Sequence, residues 1–422
     1  MSLVRTADRL LTLPKETIWH EMTPLANEHK AVNLGQGFPS FPPPPFLLEE
    51  LQRIIEESAI HPINHQYARA QGHPDLVAAI ANMYIKRLSR VDVTESNVLV
   101  TNGTTQALNI TFQALLNHGD EVIVFEPFYD AYIHDIELAG GVVKYVQLTP
   151  SESNIADDWC FSESQLLAAV TPKTKVILLN TPQNIPGKTW TRDELHLLTR
   201  VAIDKDLVVV SDEVYMTLAY DSPHISIASI PGMWERTLTV CSIGKMFSCT
   251  GWKIGWAVGP SWLIHPLSQI AAYQTFSVAT PLQIAAARAI QRAEGNDYHE
   301  IHAAGYMVRR DLLCEVLTSI GLTPVKPSSG FFVLADISRV DPAHYYNPED
   351  KQYAKDWQFC RWLVKAIGVC AIPTTAFCAT ESRKLYEKYV RFAFCKTEDD
   401  IREAAVRLKK LQNHFLESTK DK

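Results

Sequence analysis

No stretch of this 422-residue chain stays apolar for the roughly 20 residues a helix needs to cross a bilayer, so no membrane span is expected. Nor does any block of lysine and arginine stand out. With 40 basic residues against 47 acidic ones the formal net charge is -7, which argues against nucleic acid or an anionic membrane as the main partner. The eight cysteines, Cys160, Cys241, Cys249, Cys314, Cys360, Cys370, Cys378 and Cys395, form no CxxC pair and lie mostly inside apolar segments. That is the pattern of reduced thiols, not of a disulfide framework. Residues 1–19 lack the long apolar core and small-residue cleavage site of a secretory signal. They read as an arm, and a cytoplasmic location is expected.

Other signatures are missing too. There is no internal repeat, no low-complexity segment, no GxSxG elbow, no Walker lysine loop and no GxGxxG fingerprint. The segment His299-Glu300-Ile301-His302 is a metal motif only superficially, because a pair of zinc-binding histidines on one helical face needs i, i+4 spacing. No metal site is expected.

What is present is a chain long and apolar enough, at 46% hydrophobic residues, to bury a large core. After a helical stretch at 16–30 and an extended connector with five prolines at 39–45, hydrophobic periodicity alternates between helix and strand. Strands are predicted at 97–101, 121–126, 142–148, 175–180, 207–211 and 237–240. Helices are predicted at 46–57, 74–89, 104–116, from 130, 162–170 and 191–204. Such alternation implies an α/β fold with a mostly parallel central sheet between helices. Three more helices follow at 261–273, 281–293 and 298–320. Beyond them come shorter strands at 330–336, 370–372 and 390–394 and a last helix at 398–415, which read as a smaller α+β domain. The expected division is 1–45 as an arm and part of the small domain, 46–305 as the large domain and 306–422 as the small one, with 341–355 as the best candidate for a mobile loop.

Several loops carry residues suited to chemistry. Lys245 sits in Ser242-Ile243-Gly244-Lys245, a predicted tight turn just past a buried strand, where α/β sheets place their sites. Its amine could form a Schiff base if desolvation and neighbouring cations lower its pKa, and Ser242 and Lys253 could then hold a phosphate; a surface loop with two solvated lysines is the competing reading. Asn102-Gly103-Thr104-Thr105 lies between strand and helix, so it is either an anion site at a helix N-terminus or a plain cap by Thr104. Asp212, leaving a buried strand, needs a donor partner such as a protonated heterocyclic nitrogen, unless it is a helix cap. Tyr215 could reach the same ligand. Asn184, in a loop with two prolines and a glycine, is either a donor to a ring hydroxyl or a structural turn residue. Arg391, in the apolar strand Tyr389-Val390-Arg391-Phe392, needs an anion. A carboxylate suits its planar guanidinium; a structural salt bridge is the competing reading, but no acid lies nearby in sequence.

Taken together, these residues resemble the fold-type I, class I/II aminotransferases that depend on pyridoxal 5'-phosphate, over nearly the whole chain from Trp19 onward. Within them VNLGQGFP, GDEVIVFEPFYDAY, ISIASIPGMWERTLTV and FSCTGWKIGWAVGP are similar to the group of kynurenine aminotransferase, glutamine transaminase K and cysteine-S-conjugate β-lyase. The resemblance implies that Lys245 carries the cofactor and moves the substrate's α-proton, and that Asp212 pairs with the ring nitrogen. It implies too that Asn184 and Tyr215 hold the ring oxygen, and that Tyr129 stacks on the ring where these relatives usually have phenylalanine. Thr104, Thr105, Ser242 and Lys253 would hold the phosphate, with Tyr67 reaching across from the second subunit of a homodimer. Arg391, helped by Asn184, Gly37 and Trp19, would bind the substrate carboxylate, and Phe276 and Ser277 would contact the side chain. The implied activity is ping-pong transfer of an amino group between a large neutral or aromatic amino acid (kynurenine, glutamine, phenylalanine, methionine) and a 2-oxo acid. A cysteine-S-conjugate β-lyase would use the same site. Two departures stand out. Asn184-Ile185-Pro186 replaces the family's Asn-Pro step, and FSVATP at 276–281 is closer to bacterial methionine aminotransferases of the same group.

Overall fold

The strands Val98–Thr101, Glu121–Glu126, Thr174–Asn180 and Val208–Asp212 carry consecutive apolar residues and are buried on both faces over most of their length, whereas the edge strand Val142–Gln147 is mostly half-buried. The computed structural model describes residues 6–11, 13, 14 and 17–416; of the expected N-terminal arm, residues 1–5, 12, 15 and 16 lie outside the described residues. Among the described residues thirteen strands follow in chain order: β1 (Val32–Asn33), β2 (Val98–Thr101), β3 (Glu121–Glu126), β4 (Val142–Gln147), β5 (Thr174–Asn180), β6 (Val208–Asp212), β7 (Thr237–Ser242), β8 (Gly255–Val258), β9 (Thr323–Val325), β10 (Phe332–Asp336), β11 (Val369–Cys370), β12 (Ile372–Pro373) and β13 (Tyr389–Ala393).

Seven of them form the central sheet in the order β2-β8-β7-β6-β5-β3-β4. All neighbours are parallel except at β8, which is antiparallel to both β2 and β7. Side chains divide between the faces by parity. Ile123, Phe125, Ile177, Leu179 and Val209 join one core, while Val122, Val124, Val176, Leu178 and Val210 join another. The second core is closed by the helices Gly103–Leu115, Ala131–Leu138 and Ser261–Gln274, through Leu108, Phe112, Ile136, Leu263 and Leu267 among others. The first runs on without a break into the antiparallel sheet β12-β13-β10-β9, through Phe332, Leu334, Val390 and Phe392. The two sheets therefore share one apolar core.

The short strand β1 pairs in parallel with β11, which brings the segment after Asn33 back against the C-terminal half. The helix Tyr298–Ser319 contains residue 305, the expected domain boundary, and its far end packs on β9 and β10.

Four expectations are corrected. Lys245 is in a single helical turn, Ile243–Met246, rather than a bare turn, because Phe247 N–H donates to the Ile243 carbonyl at 2.8 Å. The segment at 370–372 is two strands, β11 and β12, in two different sheets. The last α-helix ends at Leu408 and continues to His414 only as a 3-10 helix. The segment Gly255–Val258 is a strand the hydrophobic pattern did not single out. All eight cysteines are free, and no helix among the described residues is long and apolar enough to cross a membrane.

Candidate active site

Since β8 is antiparallel to both its neighbours, β2, β3, β5, β6 and β7 all point the same way and end at one edge. The loops that leave this edge line a cavity of about 300 Å³. From β2 come Gly103, Thr104 and Thr105; from β3, Tyr129 and Tyr132; from β5, Asn180 and Asn184; from β6, Asp212 and Tyr215; from β7, Ser242, Lys245 and Lys253. Trp19, Gly37 and Phe38 from the N-terminal segment and Phe332 and Arg391 from the small sheet close the other side.

One end of the cavity is built for an anion. The helix Gly103–Leu115 starts there, and the residue before it, Asn102, offers no side-chain cap to its free N–H groups. Thr104 is therefore not the cap but a first-turn residue, and its Oγ1 is buried without a partner. Lys253 lies alongside in a left-handed conformation (φ +56°); a Cβ on Gly103 would come 3.0 Å from its Nζ. At Gly255 a Cβ would stand 2.5 Å from the Gly103 carbonyl carbon, so only glycine lets β8 pass so close to this helix start.

Lys245 and Asp212 occupy the middle. Lys245 Nζ donates to the Gly37 carbonyl at 3.1 Å and faces the Phe331 ring at 4.8 Å. Burial, with the nearby positive charges of Lys253 and Arg391, brings this amine down to about 8. Asp212 accepts from the Tyr132 hydroxyl at 2.6 Å and from Val214 N–H at 3.2 Å. Burial pushes its carboxyl up to about 6 even against those two hydrogen bonds and the charge of Lys245. Tyr132 escaped the sequence reading, since nothing in Ala131-Tyr132 shows that its hydroxyl will meet a carboxylate 80 residues away. Asn180 was missed as well; it donates to the Asp212 carbonyl (3.0 Å) and accepts from Asn184 N–H (2.7 Å), locking the ends of β5 and β6 together.

At the far end Arg391 is 2% exposed. Its Nη1 donates to Asn184 Oδ1 at 3.1 Å, while Asn184 Nδ2 donates to the Tyr215 hydroxyl at 2.9 Å. The guanidinium carbon lies 3.8 Å from the Phe332 ring centroid and 4.4 Å from that of Phe377. No carboxylate among the described residues forms a salt bridge with it, its Nε has no partner, and burial draws it down to about 10. A buried cation in that condition calls for an anionic ligand. Trp19 reaches the same end, held through its Nε1 by Asp130 Oδ2 at 2.9 Å.

Twelve predicted residues thus meet in one cavity, and three do not. Tyr67 is 80% exposed and packs edge-on against Phe276, itself 57% exposed, at 5.1 Å. Ser277 Oγ accepts from Ala68 N–H at 3.0 Å. These three gather on the surface, away from this chain's own cavity.

The family described as aminotransferase class I and II matches residues 29–408. The chain belongs to that family. Human kynurenine–oxoglutarate transaminase 3 is 39% identical over 411 residues, spanning 95% of this aminotransferase and 89% of the relative. Among solved structures, a Saccharomyces cerevisiae protein described as a candidate kynurenine aminotransferase superposes with a TM-score of 0.92 at 33% identity, covering 98% of this chain and all of that one. An Escherichia coli protein with a methionine aminotransferase function superposes with a TM-score of 0.85 at 32% identity, covering 96% and 100%. The aminotransferase therefore has the fold-type I architecture, and its activity is transfer of an amino group between an amino acid and a 2-oxo acid. Enzymes of this class depend on pyridoxal 5'-phosphate.

Proposed function

We propose that this cavity binds pyridoxal 5'-phosphate and that the enzyme takes its amino group from large neutral or aromatic amino acids, kynurenine among them. The observation that carries the reading is the pairing, in one cavity, of a buried lysine at about 8 with a buried guanidinium that lacks a carboxylate. The donor set fits the cofactor. Unpartnered Thr104 Oγ1, Thr105, the helix N–H groups, Ser242 and Lys253 suit its phosphate, Asp212 suits a protonated ring nitrogen, and Asn184 with Tyr215 suits the ring oxygen. Tyr129 has the place and the ring to stack against it.

When bound, the cofactor supplies an electron sink for the pair left behind as the α-proton departs. The protein does the rest. Arg391 would fix the substrate carboxylate bidentately, Asn184 would keep the guanidinium aimed, and Lys245 Nζ as a free base would take the proton from Cα. Repeating the sequence in reverse on a 2-oxo acid completes a ping-pong cycle.

Substrate size follows from the walls. Among the described residues Arg391 is the one arginine lining the cavity, so a second carboxylate on the substrate has no guanidinium to meet, and Trp19, Phe38, Tyr129 and Phe332 favour apolar or aromatic side chains. Methionine is a second candidate donor, supported by the likeness to the Escherichia coli enzyme. Tyr67 and Phe276, exposed together, and the half-buried Ser277 beside them would serve the cavity of a second subunit.

The test is an absorbance spectrum of the purified protein supplied with pyridoxal phosphate, before and after single amino acids. A visible band that moves to shorter wavelength with kynurenine, phenylalanine, glutamine or methionine and not with aspartate is expected. A colourless protein would sink the cofactor reading, and pyruvate with ammonia from a cysteine S-conjugate would reveal β-lyase activity.

A further inference from the structure

The histidine-containing segment that is not a metal motif has another position in the fold. The helix Tyr298–Ser319 turns one face, Tyr298, His299, His302 and Tyr306, onto the three residues that follow Lys245, namely Met246, Phe247 and Ser248. The Tyr298 hydroxyl donates to the Met246 carbonyl at 3.2 Å. His299 stacks on the Phe247 ring with centroids 6.3 Å apart. Ser248 Oγ shares hydrogen bonds with both His302 Nε2, at 3.0 Å, and the Tyr306 hydroxyl, at 3.2 Å. Ser248 is buried and holds φ at +54°, a left-handed conformation that a residue with a Cβ adopts reluctantly. The chain needs that reversal, because Cys249 N–H must return to the Gly244 carbonyl (3.0 Å) to close the loop around Lys245. On its other side Tyr306 stacks with Phe331, whose ring faces Lys245 Nζ.

We propose that His302 and Tyr306 are positioning residues for Lys245: by holding Ser248 in its left-handed conformation they set the turn that aims the amine. Neither touches the cavity. Burial draws His302 down to about 4, so at neutral pH its imidazole is uncharged and presents one donor and one acceptor. The bond to Ser248 uses Nε2, and Nδ1 is buried without a partner. The sequence element behind this device is the i, i+4 spacing of His302 and Tyr306, which places both on one stripe of the helix.

The inference rests on the reading of Lys245 as the residue that carries the cofactor. Its test uses the loaded enzyme with His302→Ala, His302→Gln, Tyr306→Phe and Ser248→Gly, reading kcat and KM separately, the pH midpoint of the visible band, and amide hydrogen exchange over 243–250. For His302→Ala we expect kcat roughly ten-fold lower with KM within about two-fold, a displaced spectral midpoint and faster exchange in 243–250. Glutamine restores most of it. Tyr306→Phe, which keeps the ring packing, shows the same direction. In the Ser248→Gly background, where the left-handed turn needs no support, the further effect of His302→Ala shrinks to within about two-fold. An unchanged midpoint and kcat in both His302→Ala and Tyr306→Phe, or an equal loss with and without Ser248→Gly, would overturn the proposal while leaving the cofactor reading intact. Wild-type protein without a visible band would overturn both.

Discussion

A buried amine at about 8 is half free base at pH 8, whereas an ordinary lysine near 10.5 is almost wholly protonated there. The sign is simple: the nucleophile is the unprotonated form, so uptake of pyridoxal phosphate, followed by stopped-flow absorbance, should speed up with pH through about 8 and level off above it. Arg391 makes a second residue-scale prediction. Its Nη1 is already committed to Asn184, and the rings of Phe332 and Phe377 pack against its guanidinium. Arg391→Lys keeps the charge but loses the fork, and should raise KM for the amino acid by roughly 100-fold, the scale of about 3 kcal/mol lost from a bidentate charged pair. Initial-rate kinetics across donors would show it, and a KM unchanged for every donor would contradict the assignment. Tyr132→Phe removes one of two hydrogen bonds to the Asp212 carboxylate, a loss of about 1–3 kcal/mol for a buried charged acceptor. Cofactor affinity, measured by fluorescence titration, should fall roughly ten-fold.

At the scale of elements, the anion-binding end depends on how closely β8 approaches the start of the helix Gly103–Leu115. Gly255 is the hinge of that approach, and a methyl there meets backbone rather than a side chain that could swing away. Gly255→Ala should therefore weaken cofactor binding and lower the melting temperature together, whereas Thr104→Val should weaken binding with little thermal effect, because its hydroxyl has no protein partner to lose. Differential scanning fluorimetry with and without pyridoxal phosphate separates the two. Element boundaries were mostly legible. The predicted strands at 121–126 and 175–180 have uninterrupted apolar centres, Val122 to Phe125 and Val176 to Leu179, and they became β3 and β5 within a residue. The strand Gly255–Val258 was less visible because it is only four residues long and opens on a glycine, which a periodicity argument reads as a turn.

At the scale of the whole molecule, Tyr67 and Phe276 face outward with the half-buried Ser277 beside them. Should the cavities be shared between subunits, mixing Lys245→Ala with Tyr67→Ala protein under conditions of subunit exchange would create hybrids with one intact cavity. Two nearly inactive preparations would then regain about a quarter of wild-type activity by random pairing. Independent cavities would regain none. Size-exclusion chromatography with light scattering gives the accompanying mass.

The sequence by itself determined the elements and the chemistry of their exits. Apolar runs of strand length followed by Asn184, Asp212-Glu213-Val214-Tyr215 or Lys245 mark sheet ends with reactive groups, because burial and turn chemistry are local properties of a short segment. Tertiary structure alone decided which of those ends converge. It brought Tyr132 to Asp212, Trp19 to Asp130 and Arg391 to Asn184 across separations of 80, 111 and 207 residues. It left Tyr67 outside the cavity, and it turned His302 from a failed metal motif into a support for the lysine turn. Such pairings follow from strand order and from which face of a helix packs where, and no local pattern of residues carries that information.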